Sequence, residues 1–391
     1  MKRERIGELQ EHYRRCLLDD VVPFWLQHSL DHEYGGHFNC LDRDGSIYST
    51  DKSMLILCRA IWLFSRLYNA LEPREVWLDA AKLGYDFLAK HIQDTGGELF
   101  FSVTRDGRPL ERFFFSVEAY AVMACAEYSA ASKDGKALEH ARASYRRLID
   151  LYRTPAEPFP DFLPEDRRTK ELVVPILLAG ASREIKRVYS DPIYLEMVDL
   201  ALDHILTHFL KRDERALHET VGLSGERLPT PQGRLVVPGH GIHFSWVFLE
   251  EAAERNKPEF ERAGLDLLDW SLDLGWDKDQ AGIYNFADVE GLPPLQLDWD
   301  MKPWWSHNEA LYATLLAHHI TGESKYAGWY ERIHEYTFSH FPDPEFGEWY
   351  GYLRRNGSIS SLAKGSMWKG VFHVASSMWQ CLTLLDKMRG N

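Results

Sequence analysis

Paired cysteine is what this sequence most plainly lacks. Cys16, Cys40, Cys58, Cys125 and Cys381 are scattered and odd in number, and none belongs to a C-x-x-C pair. That spacing disfavours a disulfide scaffold and a zinc–thiolate site, and it suits reduced thiols. Long apolar runs are missing too: no stretch reaches the roughly eighteen residues of a membrane-spanning helix. The opening MKRERIGEL has no apolar core that a secretory signal would need. A cytoplasmic protein with no membrane partner is therefore expected. Positive charge is scarce, with 45 Lys and Arg against 59 Asp and Glu and a net charge of −14. That disfavours a phosphate-neutralising surface, so no nucleic-acid partner is expected. H-E-x-x-H, G-x-S-x-G, a phosphate loop and a dinucleotide-binding glycine turn are all absent, and no cofactor is expected. No linker rich in Gly, Ser or Pro divides the 391 residues, so residues 1–391 read as a single domain.

Aromatic residues, by contrast, are abundant: they make up 13% of the chain and include 13 Trp. Trp and Tyr pair a flat apolar face with a polar edge, which suits a large core and also a sugar ring. Similar segments punctuate the chain: Asp31–Gly45, Asp94–Gly107, Asp277–Gly291 and Asp343–Gly357, with a fainter copy over Asp213–Gly225. Each reads as a turn, a short strand, a second turn and a return, forming a small hairpin. Their openings recur roughly every 65 residues, with one interval about twice as long. An irregular Pro-rich loop over Thr154–Asp166 fills that wider gap.

Between these loops the apolar spacing is i, i+3, i+4 over Arg5–Leu18, Lys52–Ala70, Val76–Ile92, Phe114–Ala131, Lys136–Leu151 and Leu172–Arg187. It resumes over Ile193–Leu210, Ile242–Arg255, Glu259–Leu274, Asn308–Ile320, Tyr326–Phe341 and Val371–Lys387. Long loops alternate with short turns. Twelve helices in six antiparallel pairs, with the long loops on one face, predict an all-α toroid. The last helix is still apolar and aromatic rather than polar like a capping repeat, so it is expected to close onto the first. The binding site is then expected in the central funnel on the loop face.

Three segments concentrate candidate chemistry at helix starts: Val237–Trp246 (VPGHGIHFSW), Leu297–Glu309 (LDWDMKPWWSHNE) and Lys364–His373 (KGSMWKGVFH). A histidine in the first turn of a helix faces free backbone N–H groups and the positive end of the dipole. Its charged form is disfavoured there, so His240 and His373 are both expected to be neutral bases at pH 7. Other readings of these residues remain open. His240 and His243 could ligate a metal with His373 or Glu309. Glu309 with Asp298 or Asp300 could form a glycosidase carboxylate pair, and the same cavity could bind sugar without turning it over.

Several stretches together resemble the N-acylglucosamine 2-epimerase family. They are Phe24–Asp31 with Gly35–Gly45, Asp51-Lys52 through Arg59, Pro238-Gly-His240, Lys302–Glu309, the run GEWYGYL from Gly347, and Trp368–His373. The resemblance covers nearly the whole chain, in order. It implies an (α/α)6 barrel with short hairpins on one face. It also implies a sugar 2-epimerase acting on a monosaccharide or amino sugar by two-histidine proton transfer through an enediolate, or an aldose–ketose isomerase. By resemblance, His240 and His373 are the catalytic histidines and Arg59 contacts the sugar oxygens. Glu309 is the carboxylate of the same cavity, Trp305 the stacking tryptophan, and Trp246 a further aromatic of the pocket, with His243 beside it. A homodimer is implied as well. The chain departs from the family at Leu57, where Gln is frequent, at His243, where Glu is usual, and at Val374–Ser376, where Pro-Arg commonly follows the histidine.

Overall fold

The computed structural model describes residues 1–112, 116–153 and 168–390. The Pro-rich segment Thr154–Asp166 lies outside the described residues. Helices pair as the sequence predicts. Met54–Ala70 packs on Glu75–Asp94, Ser116–Ser132 on Gly135–Arg153, and Val173–Val188 on Pro192–His204. Pro238–Arg255 packs on Pro258–Gly275, Trp304–Thr321 on Ser324–His340, and Phe372–Gly390 on Arg3–Arg15. The first member of the first five pairs and Phe372–Gly390 line an inner ring, and their partners form the outer one. Inner helices are apolar almost all round, as Met54–Ala70 shows with buried residues on every face, because they are covered by the outer ring and by their neighbours.

Two expected helices differ in shape. Arg3–Arg15 runs through a wider π-type turn at Cys16–Val21 into Val22–His28, so this element extends ten residues beyond the expected end at Leu18. Pro23 does not stop it; it stands at the second position of Val22–His28, directly after the wider turn. Pro192–His204 likewise ends in a π-type turn at Ile205–Phe209.

The loops do more than turn the chain. Asp31–Gly45 and Asp94–Gly107 fold as expected, with Cys40–Leu41 against Ile47–Ser49 and Ser102–Val103 against Pro109–Glu111. The Asp343–Gly357 copy also folds back, Leu353 bridging Ile359, and its Tyr352–Leu353 pairs in addition with Lys302–Pro303; in the Asp277–Gly291 copy Ala287–Asp288 pairs instead with Leu235–Val236. Strands of two residues are too short to stand alone, so they pair with the strand that precedes an inner helix. Lys52–Ser53, just before Met54–Ala70, is bound in the same way to Ser102–Val103.

A repeated ion cluster ties these loops together. Asp31, Asp277 and Asp343 each accept backbone N–H bonds from the turn they open, from Tyr34, Gln280 and Glu345 among others. Each then meets a fully buried lysine: Lys52 at 2.8 Å, Lys302 at 3.0 Å and Lys364 at 3.0 Å. Each also receives an arginine from the next hairpin in the ring, from Arg105, Arg355 and Arg43 respectively. These arginines occupy equivalent places, in Arg-Asp-Gly at 43–45 and 105–107 and in Arg-Asn-Gly at 355–357. Burial opposes charge on the aspartates, but their cationic and N–H partners hold them well below the usual carboxylate range. The Arg43–Asp343 contact joins the first hairpin to the last and closes the ring. One apolar core runs from Ile6 to Leu385, and no helix among the described residues is long and apolar enough to cross a membrane.

Candidate active site

Pinned by these clusters, the hairpin face presents the N-termini of the inner helices to the barrel axis. Pro238 opens one helix and places His240 in its first turn, Trp304–Thr321 carries Trp305 and Glu309, and Phe372–Gly390 carries His373. Gly239 and Gly241 allow the close approach. A Cβ on Gly239 would strike the Trp305 ring, and one on Gly241 would strike Ser271 Oγ. Trp305 lies between the two histidines, its ring centroid 5.3 Å from that of His240 and 6.1 Å from that of His373.

Each imidazole is held by a carboxylate. His240 Nδ1 lies 3.0 and 3.1 Å from the two oxygens of Glu219. His373 Nδ1 lies 3.1 Å from Glu309 Oε1, and His243 Nδ1 lies 2.9 Å from Glu309 Oε2. The Trp246 indole N–H also donates to Glu309 Oε2, at 2.7 Å. An ionised carboxylate only accepts, so in each pair Nδ1 carries a hydrogen, and where the ring is neutral Nε2 keeps its lone pair. Burial alone would raise the Glu309 pKa, but His243 and His373 hold it well below the usual carboxylate range.

The two first-turn histidines part company here. Burial, together with the nearby Arg59 and His243, lowers His373 to about 4, although Glu309 opposes the shift. His240 goes the other way. Burial pushes it down, but the Glu219 carboxylate outweighs burial and raises it above the ordinary 6.5. The expected lowering therefore fails at His240. The helix terminus is a partial charge, and a full negative charge 3.0 Å away outweighs it. Glu219 carries no sequence signature: it sits in a loop, between His218 and Thr220, and only the fold brings it to His240.

Arg59 is stacked. Its guanidinium carbon lies 4.4 Å from the Tyr120 ring centre and 5.3 Å from that of Phe372, and Nη2 donates to Tyr120 Oη at 2.6 Å. Arg59 Nε is buried without a hydrogen-bond partner, and the guanidinium acts on His373, lowering its pKa. Tyr120 was also beyond sequence reasoning. Trp246 is buried, and its polar edge is committed to Glu309. His243 and Ser376, two of the positions where the chain departs from the family pattern, line one cavity of about 920 Å³ with Glu309, Trp246 and Phe372. His240 and Glu219 face a separate hollow of about 520 Å³ on the loop side, with Thr220, Gln232 and Gln296. Leu57 is buried.

The competing readings lose their residues. Among the described residues no three His, Cys, Asp or Glu side chains are arranged to hold a metal ion, and His240 and His243 turn to different carboxylates. Glu309 is occupied by three donors and Asp298 accepts from Asn285 at 2.9 Å, which leaves no free acid in that pair for glycoside hydrolysis. Several helix-start residues are structural instead. His307, for one, accepts the Ile283 N–H at Nε2 (3.0 Å), points Nδ1 at Pro303 O and stacks on Tyr336.

Comparison with known proteins gives the family and the fold. The sequence profile of the N-acylglucosamine 2-epimerase family matches residues 36–377. The chain belongs to that family. Its members include carbohydrate isomerases that act at C2. N-acylglucosamine 2-epimerase of Mus musculus is 34% identical over 383 residues, covering 95% of this chain and 90% of its own length. The Bos taurus enzyme is 35% identical over 384 residues, at 96% and 90% coverage. In fold, the structure superposes on cellobiose 2-epimerase from Spirochaeta thermophila with a TM-score of 0.85 at 23% identity, covering 98% of each chain. That likeness bears out the (α/α)6 barrel.

Proposed function

We propose that the protein is a cofactor-independent 2-epimerase of N-acyl amino sugars, interconverting N-acetylglucosamine and N-acetylmannosamine. Membership of the family supports the reaction class, and the relatives about one-third identical support the substrate. One observation carries the mechanism: two carboxylate-bound imidazoles of opposite electrostatic bias flank Trp305. In the open-chain sugar, neutral His373 takes the C2 proton at Nε2. The C–H electron pair forms the C1–C2 double bond as the carbonyl pair moves onto O1. The Arg59 guanidinium stabilises the enolate charge that develops on O1. His240, biased toward imidazolium by Glu219, returns a proton to the opposite face of C2. The reverse reaction exchanges the two roles. The whole chain acts as one catalytic domain on a free sugar. Five unpaired cysteines, four of them buried, fit a reducing compartment such as the cytoplasm.

The test is incubation with N-acetylglucosamine or N-acetylmannosamine in D2O, followed by NMR. The C2 epimer should form with deuterium at C2. A ketose formed from mannose, glucose or cellobiose would reassign the protein as an aldose–ketose isomerase. If the two sugars, mannose, glucose and cellobiose all give neither product nor C2 deuterium, the proposal fails.

A further inference from the structure

Delivery of a proton to C2 limits where the substituent on C2 can lie. In the planar enolate, C1, C3 and the amide nitrogen leave C2 in one plane, with the two imidazoles on opposite faces. His240 must bring Nε2 to within about 3.2 Å of C2. The acyl carbon lies two bonds from C2, at about 2.5 Å, so the acyl group starts roughly 4–5 Å from His240 Nε2. C1 carries O1 to Arg59, and C3 carries a hydroxylated chain that needs polar partners along its length. Only the acyl group joins a single amide to an apolar tail.

The hollow that His240 faces has matching chemistry. The His240 side chain is about one-third exposed (31%), with Nδ1 held by Glu219 and Nε2 left free. Leu235, Phe286 and Leu295 supply apolar lining, and Gln232 and Gln296 bring two side-chain amides. Gln296 Oε1 is buried without a hydrogen-bond partner among the described residues. The Gln232 side-chain N–H reaches only Thr220 Oγ1, at 3.4 Å. An acyl amide supplies an N–H for the first and a carbonyl for the second. The hollow is also larger than an acetyl group needs. Three heavy atoms displace roughly 90 Å³, at about 30 Å³ per water-sized atom, against about 520 Å³ here. Leu295 lines it and is 74% exposed, an apolar surface that a longer tail would cover.

We propose that this hollow is the acyl subsite, and that the protein epimerises amino sugars with N-acyl chains longer than acetyl, such as N-butanoyl and N-hexanoyl. This deepens the epimerase reading above and rests on it. The amide N–H donates to Gln296 Oε1, the Gln232 N–H donates to the acyl carbonyl, and the alkyl tail lies on Phe286 and Leu295. A C2 hydroxyl, as in glucose or mannose, has no carbonyl for Gln232 and no tail for the apolar lining, so those sugars bind less well.

The test compares N-acetyl-, N-butanoyl- and N-hexanoylmannosamine as substrates, with initial rates of C2 epimerisation and C2 deuterium followed by NMR in D2O. A buried methylene is worth about fourfold in binding. The N-butanoyl sugar should therefore show a KM about tenfold below that of the N-acetyl sugar, at similar kcat. Leu295→Ser should shrink that ratio to about threefold or less. Leu297→Ser, at a fully exposed position outside the hollow, should keep the wild-type ratio. Gln296→Ala should raise KM for all three sugars by about 5–10-fold, the worth of one hydrogen bond. Exchange on the N-acetyl sugar with none on the longer ones, or a KM independent of chain length, would overturn the acyl subsite and leave the epimerase reading standing. A wild-type ratio in Leu295→Ser would overturn it as well. Absence of C2 exchange on all three sugars would instead count against the epimerase reading.

Discussion

Glu219→Gln isolates the charge that sets the two histidines apart. The carboxylate of Glu219 accepts from His240 Nδ1 at 3.0 Å and from the Val237 backbone N–H at 3.2 Å. Glutamine keeps an acceptor oxygen of the same shape for these bonds and removes only the charge. A hydrogen bond between charged partners contributes about 1.5–3 kcal/mol, and one pKa unit corresponds to about 1.4 kcal/mol. The His240 pKa should therefore drop by about one to two units. His240 acts as the acid, so the pH–kcat/KM profile should lose its alkaline shoulder by that amount. Above the shifted limb the rate falls by about 10–100-fold, and it recovers as pH is lowered. The assay is the initial rate of N-acetylmannosamine formation between pH 5 and 10, with 15N-resolved imidazole shifts of His240 as a direct readout. A profile and imidazole titration identical to wild type would show that Glu219 does not bias His240, and the division of roles would fall with it.

Other perturbations probe the rest of the design. His373, lowered to about 4, should keep its base form through mildly acidic pH, so the acid limb of wild-type kcat/KM should lie near pH 4; a limb near 6.5 would contradict this. Gly239→Ala drives a methyl group into Trp305 and should cost about 10²-fold in turnover by displacing the ring between the histidines, with little change in melting temperature. Asp277→Ala leaves Lys302 charged and buried, and should cost about 3–5 kcal/mol in urea unfolding; adding Lys302→Met should recover part of that loss. His37 and His307 are buried and lowered to about 4 and about 3, with burial the chief cause. The unfolded chain binds their protons first, so stability should decline as pH falls from 6.5 toward 3, and His307→Asn should flatten that slope in thermal melts.

Some of this was written locally. A helix period and a hairpin recurring at a fixed spacing depend on neighbours in the chain, so the six helix pairs, their order and the first-turn placement of His240 and His373 were legible from residue pattern. The Asp31, Asp277 and Asp343 turns were visible for the same reason, since each aspartate caps its own next residues. The partners across the ring were not. Which lysine and which arginine meet each aspartate, and that Arg43 reaches Asp343 to shut the barrel, follow from helices brought together around an axis. The same holds for the site. Electrostatic bias falls off over a few ångströms of space, not over residues of sequence, so Glu219, drawn from a loop, reverses what the helix terminus does to His240. Glu309 likewise joins His243 to His373 across three different helices. Periodicity decided the scaffold and the neighbourhood of the chemistry; through-space charge, set only once the ring closes, decided which imidazole is acid and which is base.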